Sequence, residues 1–522
     1  MNSPKTFRPH GGVRGQNLAR GSVLFEGPFG RMFRAVPPAD FGADDATTLT
    51  NLETLAKKMV AEADPPKDGP DAEESGIPAL YTYLGQFIDH DLTFDPASSL
   101  QKQNDPDALV DYRTPRFDMD NIYGRGPDDQ PYLYSDGVSF VLGPALAGAS
   151  TNPNAHDLPR SSATPNRAII GDPRNDENVV VSQLQGLWHR FHNKIAKDNP
   201  TWTFAKVQRE VRFHYQWILL HDFLPTIVAK SVLKKVLPNG TKNLVENPPE
   251  LKFFHPRNEA FMPLEFSAAA YRFGHSMVRP GYRLNDGVGP LPIFSMTPPD
   301  MRGFQIPLPG SAIDWERFID LKALDYGTAP APAPAPADPK NVHRLQFAYR
   351  IDTSLVNPLS FLPKSIAPDP PPILAQRNLE RGWRMRLPSG QSVARAMGLV
   401  PLKESELQLG KFTGDPADTA AFVQVDSLAG GVFKNNCPLW TYILAETRHH
   451  MEEVPITTIG GPAKIKTPKL GEVGGRIVAE TFVGLLMVDS SSYVSQDPLW
   501  TPSLAVGGVF GLKEMVRHAL LG

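Results

Sequence analysis

Proline interrupts this chain about once in every ten residues, and no other feature constrains its fold as strongly. The 522 residues include 53 prolines, roughly twice the usual proportion of ~5%. Proline lacks a backbone N–H and breaks the interior of a helix, so we expect proline-bounded helices joined by irregular loops. Helical spacing of apolar residues recurs along the chain, whereas strand-like alternation is rare. The sequence therefore predicts a mainly α fold with much irregular loop.

Six segments have the apolar spacing of helices. The segment that starts at residue 203 is expected to end at Pro225, because proline cannot continue the hydrogen-bond ladder. The six predicted helical segments are residues 50–63, 179–197, 203–224, 378–397, 438–449 and 475–487.

The domain organisation is expected to be simple. A chain of 522 residues could hold several average domains or one large one. Residues 1–50 are rich in Gly, Arg and Pro, and we interpret them as an extended N-terminal arm. An Ala-Pro repeat at residues 329–337 predicts a stiff, extended segment. Helical patterns resume on both sides of it, so we interpret it as a loop inserted in one large domain, residues 51–522.

Composition excludes several classes of function. The formal net charge of −3 argues against nucleic acid or an anionic membrane as the main partner. Cys437 is the only cysteine, which excludes an intrachain disulfide and a cysteine-based zinc or iron–sulfur site. The sequence contains no charge-free run of about 18 apolar residues, so we expect no membrane-spanning helix. The N-terminus lacks the apolar core of a secretory signal, so we expect a cytoplasmic protein or one exported without such a signal.

Residues 84–92 combine an apolar helix with an unusual density of polar groups. Gln86, Asp89, His90 and Asp91 follow an apolar, aromatic run, and burying such groups without partners is costly. On a helix, Gln86 and His90 lie on one face because they are four residues apart. They could therefore face one ligand while the two carboxylates reach other neighbours. A solvated or frayed helix end would explain the same residues.

Oxygen donors alternate with other residues between positions 114 and 120. Together with Asp91, the side chains of Thr114, Asp118 and Asp120 could hold a hard cation such as Ca²⁺. A surface cluster of Asx turns is the alternative. Elsewhere, spacing alone favours a structural role for His189 and His192.

Six segments, taken in order, identify the chain as resembling the animal-type haem peroxidases. This family is the peroxidase–cyclooxygenase superfamily, which includes myeloperoxidase and bacterial members, and we interpret the chain as a bacterial-type member. The resemblance extends from about residue 81 to about residue 504. The segments are GQFIDHD (85–91), RTPRFDMDNIYG (113–124), GDPRNDE (171–177), RFGH (272–275), Asn378 and GGRIVAE (474–480).

The resemblance implies a large single-domain haem peroxidase fold, with helices around a buried haem b. It assigns His275 as the ligand of the haem iron and Asn378 as the partner of its other ring nitrogen. Across the haem, His90 would be the general base and acid toward H₂O₂, and Arg174 would stabilise developing negative charge. Gln86 would orient peroxide, water or an anion. H₂O₂ would be reduced through an oxoferryl intermediate that oxidises a halide, thiocyanate or a small phenol.

The resemblance also implies further ligands. Asp89 and Glu177 match carboxylates that form ester links to haem in mammalian members, and Arg272 is a candidate partner of a haem propionate. Asn178 stands where myeloperoxidase has a methionine that forms an additional link, so that link is expected to be absent. The implied calcium ligands are Asp91, Thr114, the main-chain carbonyl of Arg116, Asp118 and Asp120.

Two other functions would fit parts of the pattern. Fatty-acid dioxygenases of the same superfamily use a tyrosine three residues before the proximal histidine, where this chain has Arg272. Tyr271 is one position further back, which on an α-helix turns the side chain by about 100°, so we expect a peroxidase. A catalytically silent haem-fold protein for adhesion or assembly is the second alternative. A silent relative would be free to lose the active-site residues, but this chain has all four of them: His90, Arg174, His275 and Asn378.

Overall fold

Helices form the body of the protein, which confirms the predicted mainly α fold. The computed structural model describes residues 25–26, 29–61, 72–93, 114–164, 166–256, 260–322, 344–458 and 461–522. The α-helices are α1 Asp45–Met59, α2 Leu80–Leu92, α3 Asp120–Tyr123, α4 Val179–Asp198, α5 Phe204–Ile218, α6 Leu224–Ile227, α7 Lys230–Val236, α8 Leu264–Ser267, α9 Leu374–Arg384, α10 Gly390–Ala396, α11 Pro416–Ala421, α12 Leu439–Glu446, α13 Gly474–Val488, α14 Tyr493–Gln496 and α15 Leu512–Leu520.

The strands of the described residues are short and form small separate sheets. β1, β2 and β4 form one three-stranded sheet, and the other pairs are β3–β7, β5–β6, β8–β9 and β10–β11. The strands are β1 Phe25–Glu26, β2 Phe29–Gly30, β3 Glu74–Pro78, β4 Met262–Pro263, β5 Gly281–Tyr282, β6 Leu291–Pro292, β7 Phe347–Tyr349, β8 Gln408–Leu409, β9 Val423–Gln424, β10 Met451–Thr458 and β11 Gly461–Pro468.

The antiparallel hairpin of β10 and β11 was not predicted from the sequence. Its register pairs Met451 with Pro468 and Thr458 with Gly461. Pro455 lies inside β10 and usually argues against a strand. In a two-stranded sheet each strand has an outer edge without hydrogen-bond partners, and proline is tolerated there.

The core is built where α2, α4 and α5 pack together. Phe87 of α2 stacks on Trp188 of α4 with ring centroids 5.8 Å apart. Tyr215 of α5 meets the same Trp188 edge to face at 5.6 Å. All three side chains are fully buried. This aromatic contact fixes the orientation of α2, and therefore the direction of its polar side chains.

Pro225 does not end the helical segment that contains it. The α-helix stops at Ile218, a π-helical turn spans Leu219–Phe223, and α6 continues to Ile227. A wider π turn spaces the carbonyls of the preceding turn differently, so the proline ring is accommodated within a helical backbone. The predicted end at residue 224 is therefore wrong, because the helical segment continues to Ile227.

Two other helices differ from their predicted bounds. α1 begins at Asp45, earlier than residue 50, because the Asp44 side chain caps it by accepting a hydrogen bond from the Thr47 N–H at 2.7 Å. The predicted segment 378–397 consists of α9 and α10, and Ser389 caps the second.

Parts of the predicted arm and loop lie outside the described residues. The Ala-Pro repeat at 329–337 and residues 1–24 and 27–28 belong to these parts. The described end of the arm is attached to the body. β2 pairs with β4, and the buried carboxylate of Glu265 accepts hydrogen bonds from the N–H groups of Met32 and Phe33, each at 3.0 Å. Within the described residues, every helix is too short or too polar to cross a membrane.

Candidate active site

A cavity lies between α2 and a 3-10 helix, Ala270–His275, and it collects most of the residues predicted to bind or act at the haem. Gln86, Asp89 and His90 line it from α2, and Arg272 and His275 line it from the 3-10 helix. The remaining lining residues are Tyr81, Thr82, Tyr83, Gly85, Glu177, Asn178, Tyr271, Phe273, Gly274, Met277, Val278, Ile293, Phe294, Leu359, Leu362, Ile366 and Leu374.

The packing of α2 determines which polar groups reach the cavity. Leu84 and Ile88 are fully buried on the core side of the helix, and Gln86 and His90 lie on the cavity side. Asp91 is also fully buried, but it turns away from the cavity toward Asp118 and Asp120. The two neighbouring residues His90 and Asp91 therefore serve two different sites.

The His90 imidazole is held by an amide that the sequence did not reveal. Its Nδ1 lies 2.6 Å from Oδ1 of Asn175, and its side chain is only 5% exposed. With the Asn175 amide oxygen toward the ring, Nδ1 carries the ring proton and Nε2 is left as the acceptor. Burial, followed by the nearby charge of Arg174, lowers the pKa of His90 to about 4. The imidazole is therefore neutral at pH 7.

A second set of hydrogen bonds fixes the Gln86 side chain. Its Nε2 donates to Glu177 at 2.5 Å, and its Oε1 accepts from the Asn178 amide at 3.1 Å. Burial raises the pKa of Glu177 to about 7, although the charge of Arg174 opposes this shift. One amide hydrogen of Gln86 remains for a molecule in the cavity, because the NH₂ group has two.

Arg174 lies behind α2 and is not among the residues that line the cavity. Its Nη2 donates to Asp172 at 2.8 Å, and to the main-chain carbonyl of His90 at 3.1 Å. It also donates to the carbonyl of Thr93. A cation at this position caps the C-terminal carbonyls of α2. Its charge still acts on the cavity, since it lowers the pKa values of both His90 and Glu177.

His275 is supported from behind by α9. Its Nδ1 lies 2.7 Å from the amide nitrogen of Asn378. A half-turn of that amide exchanges its nitrogen and oxygen, so Asn378 can also accept from Nδ1–H. In that arrangement Nε2 of His275 is free of a proton and is a suitable metal ligand. Burial, with the charges of Arg272 and Arg381, lowers the pKa of His275 to about 3.

Tyr271 lines the cavity beside Arg272. Residues 270–275 form a 3-10 helix, in which successive side chains are about 120° apart. The Tyr271 ring stacks on Phe266 with centroids 4.6 Å apart. Its hydroxyl is buried and has no hydrogen-bond partner among the described residues. The segment therefore presents both Tyr271 and Arg272 to the cavity.

Three predicted calcium ligands converge beside α2. Carboxylate oxygens of Asp91, Asp118 and Asp120 lie within 4.8 Å of one another. Thr114 Oγ1 donates to Asp118 at 2.7 Å. The Arg116 side chain instead points toward Asp489, at 3.9 Å, which leaves its main-chain carbonyl as the possible ligand. Mutually close carboxylates repel each other in a buried place, and hard oxygen donors of this kind suit Ca²⁺.

The cavity walls fit the haem that the sequence resemblance implies. A neutral histidine backed by an amide stands on one wall, and a second neutral histidine stands on α2. Apolar side chains form much of the remaining wall, and they suit a flat porphyrin. The Arg272 guanidinium lines the cavity, and its Nε has no hydrogen-bond partner among the described residues. An anionic group such as a propionate would satisfy it.

Comparison with known sequences supports one family. The animal haem peroxidase family model matches residues 99–297. The peroxidasin homolog of Mus musculus is 26% identical over 206 residues, which are 36% of this chain and 13% of that protein. This chain therefore spans only a small part of that relative's length.

Comparison with solved structures supports one fold. Peroxidase A from Dictyostelium discoideum has a TM-score of 0.55 at 15% identity, and the match covers 97% of this chain and 96% of the other. A fatty acid alpha-dioxygenase from Oryza sativa, solved with palmitic acid, has a TM-score of 0.52 at 13% identity and covers 92% and 78%. At such identities the likeness concerns the fold alone, which is shared by peroxidases and dioxygenases.

Proposed function

Since this chain belongs to the animal haem peroxidase family, we propose that it is a haem-dependent peroxidase that reduces H₂O₂ and oxidises a halide, thiocyanate or small phenol. The observation that carries the proposal is the pair of neutral histidines at one cavity. His275 is backed by an amide of α9, and His90 is backed by an amide of the 171–177 segment. The hydrogen bond that holds each ring therefore comes from an amide and not from a carboxylate.

Bound haem b would supply the iron at which the peroxide O–O bond is cleaved, and His275 would hold that iron. His90 then has the role of moving the proton. Its Nε2 accepts the proton of H₂O₂ and returns it to the departing oxygen, which is general base catalysis followed by general acid catalysis. Arg272 would pair with a haem propionate from the cavity wall.

Two further residues are proposed to act on charge and orientation. An arginine guanidinium is a permanent cation in proteins. From behind α2 the guanidinium of Arg174 favours negative charge on the departing oxygen. Gln86 is held between Glu177 and Asn178, so its remaining N–H has a fixed direction toward a peroxide, water or anion. Preorganised donors of this kind need no rearrangement during the reaction.

A fatty-acid dioxygenase is the second candidate, because Tyr271 lines the cavity. In that reaction the tyrosine would have to reach the substrate, and its neighbour Arg272 competes for the same wall. Incubation with linoleate and O₂, followed by product analysis, separates the two functions. Oxygenated fatty acid formed without peroxide would favour the dioxygenase.

The experiment that tests the proposed function is an absorption measurement on the haem-supplied protein. A Soret band should appear, shift with one equivalent of H₂O₂ and return when a donor is added. Tyrosine, bromide and thiocyanate in parallel identify the class of donor. A Soret band that ignores peroxide would contradict the proposal, and its absence in folded protein would contradict the role of His275.

We infer that the carboxylate cluster binds Ca²⁺ and stabilises the distal helix, because Asp91 directly follows His90 in α2. Removing the ion should leave three close carboxylates, and their repulsion should loosen α2 and weaken haem retention. We expect exhaustive chelation to lower the melting temperature by roughly 2–5 °C and to release haem during gel filtration. Asp118→Asn should reproduce the effect.

Asp129, which forms an exposed ion pair with Arg125, offers a matched control for this prediction. Asp129 lies 3.5 Å from Arg125 at the surface and outside the cluster. Asp129→Asn should leave both the melting temperature and the haem content unchanged. An unaltered haem spectrum after the metal is shown to be gone would refute the calcium proposal.

Ester attachment of haem through Asp89 and Glu177 is a further proposal, because both carboxyl groups line the cavity. Formation of such a bond needs an oxidant, and H₂O₂ supplies it. After treatment with H₂O₂, acid and organic solvent should leave most of the haem on the chain. In the double variant Asp89→Asn, Glu177→Gln, all haem should be extracted. Complete extraction from the unaltered protein would refute the attachment.

A further inference from the structure

A chain of four buried polar side chains runs from the cavity into the core behind His90. Asn175 Oδ1 lies 2.6 Å from His90 Nδ1, and Asn175 Nδ2 donates to Gln185 Oε1 at 2.8 Å. Gln185 Nε2 lies 3.0 Å from His189 Nε2. Asn175 and Gln185 are fully buried, and His189 is 3% exposed. Water therefore cannot easily replace any of these partners, so each contact depends on its neighbours.

The secondary-structure elements that carry these four side chains hold them in place. Asn175 lies in a 3-10 turn, Pro173–Asp176, where its N–H donates to the carbonyl of Asp172 at 3.1 Å. Gln185 and His189 are four residues apart on α4 and therefore share a face. The His189 ring stacks on Phe140 at 4.4 Å between centroids. The stacked ring of His189 therefore cannot turn without disturbing Phe140.

Donor and acceptor roles along this chain determine one another. With Gln185 Nε2 facing it, His189 Nε2 must accept, and the proton of that neutral ring lies on Nδ1, which is buried and has no hydrogen-bond partner among the described residues. Burial and the nearby His192 keep His189 neutral, with a pKa of about 3. Gln185 Oε1 then accepts from Asn175, whose Oδ1 accepts from His90 Nδ1–H. Every hydrogen points from His90 toward His189.

The opposite arrangement would require both amides to turn together. If Asn175 alone turned, its oxygen would face the oxygen of Gln185, and two buried acceptors would be left without a hydrogen. If both turned, His90 Nδ1 would become an acceptor and its proton would move to Nε2. The cavity would then face an N–H donor in place of a base.

We propose that Asn175 and Gln185, with His189 as the terminal acceptor, are positioning residues that hold His90 in the tautomer whose bare Nε2 faces the cavity. The inference rests on the proposed function only in assuming that His90 is the base. The sequence separates His90 from Asn175 by 85 residues, and neither amide touches the cavity. Their effect on catalysis is therefore indirect, through the proton position on His90.

Four substitutions distinguish an effect of the ordered hydrogen bonds from an effect of side-chain packing. Asn175→Leu and Gln185→Leu remove the ordered hydrogen bonds while keeping the volume similar. Asn175→Asp keeps an acceptor toward His90 once the Gln185 amide turns its NH₂ group to the new carboxylate, and Gln185→Glu keeps an acceptor toward Asn175, so both should retain the tautomer. Gln183 provides the matched control. It lies on the same helix, and its amide bonds to the main chain of Ser311 and Ile313 at 2.8 and 2.9 Å.

The decisive measurement is nitrogen NMR of the full-length chain labelled with ¹⁵N-histidine, with the His90 signals assigned by His90→Gln. Protonated and bare ring nitrogens have well-separated shifts. The protein is examined without haem and with the diamagnetic zinc protoporphyrin. We expect His90 to be protonated at Nδ1 in the unaltered chain, in Asn175→Asp, in Gln185→Glu and in Gln183→Leu. The two leucine variants at 175 and 185 should show a mixture of tautomers.

Peroxide kinetics of the haem-supplied variants give the second readout. Asn175→Leu and Gln185→Leu should lower kcat/KM for H₂O₂ by about 10- to 100-fold, whereas Asn175→Asp, Gln185→Glu and Gln183→Leu should remain within about threefold. A proton on Nε2 in the unaltered chain would overturn the inference, and so would leucine variants with an unchanged tautomer. If the tautomer shifts as expected but the unaltered chain ignores peroxide, the inference holds and the proposed peroxidase function fails.

Discussion

Replacing His275 by alanine is expected to abolish haem binding and, with it, all peroxidase activity. The reason is that the iron ligand is assigned to His275, whose Nδ1 lies 2.7 Å from Nδ2 of Asn378, whereas His90 stands on the opposite wall as the base. Alanine leaves apolar contacts and the Arg272 guanidinium, which hold the porphyrin edge but supply no ligand to the metal. Haemin titration followed at the Soret band should show at least a 100-fold weaker affinity, because a directed metal bond is lost.

A graded control separates loss of the ligand from damage to the fold. Asn378→Leu keeps His275 but removes the partner that orients its ring, and we expect haem affinity or activity to fall by about 10- to 100-fold. Circular dichroism should show unchanged helix content in both variants. A His275→Ala protein with full Soret intensity and normal peroxide turnover would mean that another residue holds the iron.

The helix spacing on α2 could be predicted because it depends on local geometry alone. Gln86 and His90 share a face in any α-helix that contains both, and the structure places both at the cavity. The same geometry predicts that Asp91, one residue after His90, points about 100° away from the face that carries Gln86 and His90. The partner of His90 could not be found in this way. Asn175 is 85 residues distant, and its own neighbourhood reads as an ordinary turn before a helix.

Side-chain direction was the second quantity that the sequence could not supply. The sequence resemblance assigns Arg174 to the distal side of the haem, whereas the structure turns its guanidinium to Asp172 and to the end of α2. Whether an arginine side chain pairs with a nearby carboxylate or enters a cavity depends on contacts in the folded structure. Tyr271 shows the same difficulty. It lies in a 3-10 helix, which the apolar sequence does not distinguish from an α-helix, and the packing around residues 270–275 decides which side chains reach the cavity.

The small sheets show where proline misleads a sequence argument. β10 and β11 pair over eight residues each, although Pro455 and Pro462 lie within them. Proline rules out central strands but not the free edges of a two-stranded hairpin. The high proline content therefore correctly predicted an irregular, mainly helical chain, yet it concealed the longest pair of strands among the described residues.

Replacing His90 by leucine is expected to leave haem bound and to slow the reaction with H₂O₂ by about 100- to 10,000-fold. This corresponds to about 3–5 kcal/mol in the activation free energy. Leucine preserves the buried volume next to Asn175 but offers no base for the peroxide proton. Gln86 also lines the cavity, and an amide has no basic nitrogen at neutral pH. The remaining rate would depend on the charge of Arg174 and on solvent as the proton acceptor.

Stopped-flow absorbance after mixing with peroxide measures this rate directly. His255 provides the matched control, because it is exposed and its Nε2 contacts only the carbonyl of Lys252, at 2.9 Å, among the described contacts. His255→Leu should keep the rate of the unaltered protein. His90→Leu should keep the Soret band at full intensity, since the iron ligand is on the opposite wall. A rate within threefold of the unaltered protein, with haem fully bound, would show that the peroxide proton does not pass through His90. The hydrogen bonds from Asn175 to His189 would then have a purely structural purpose.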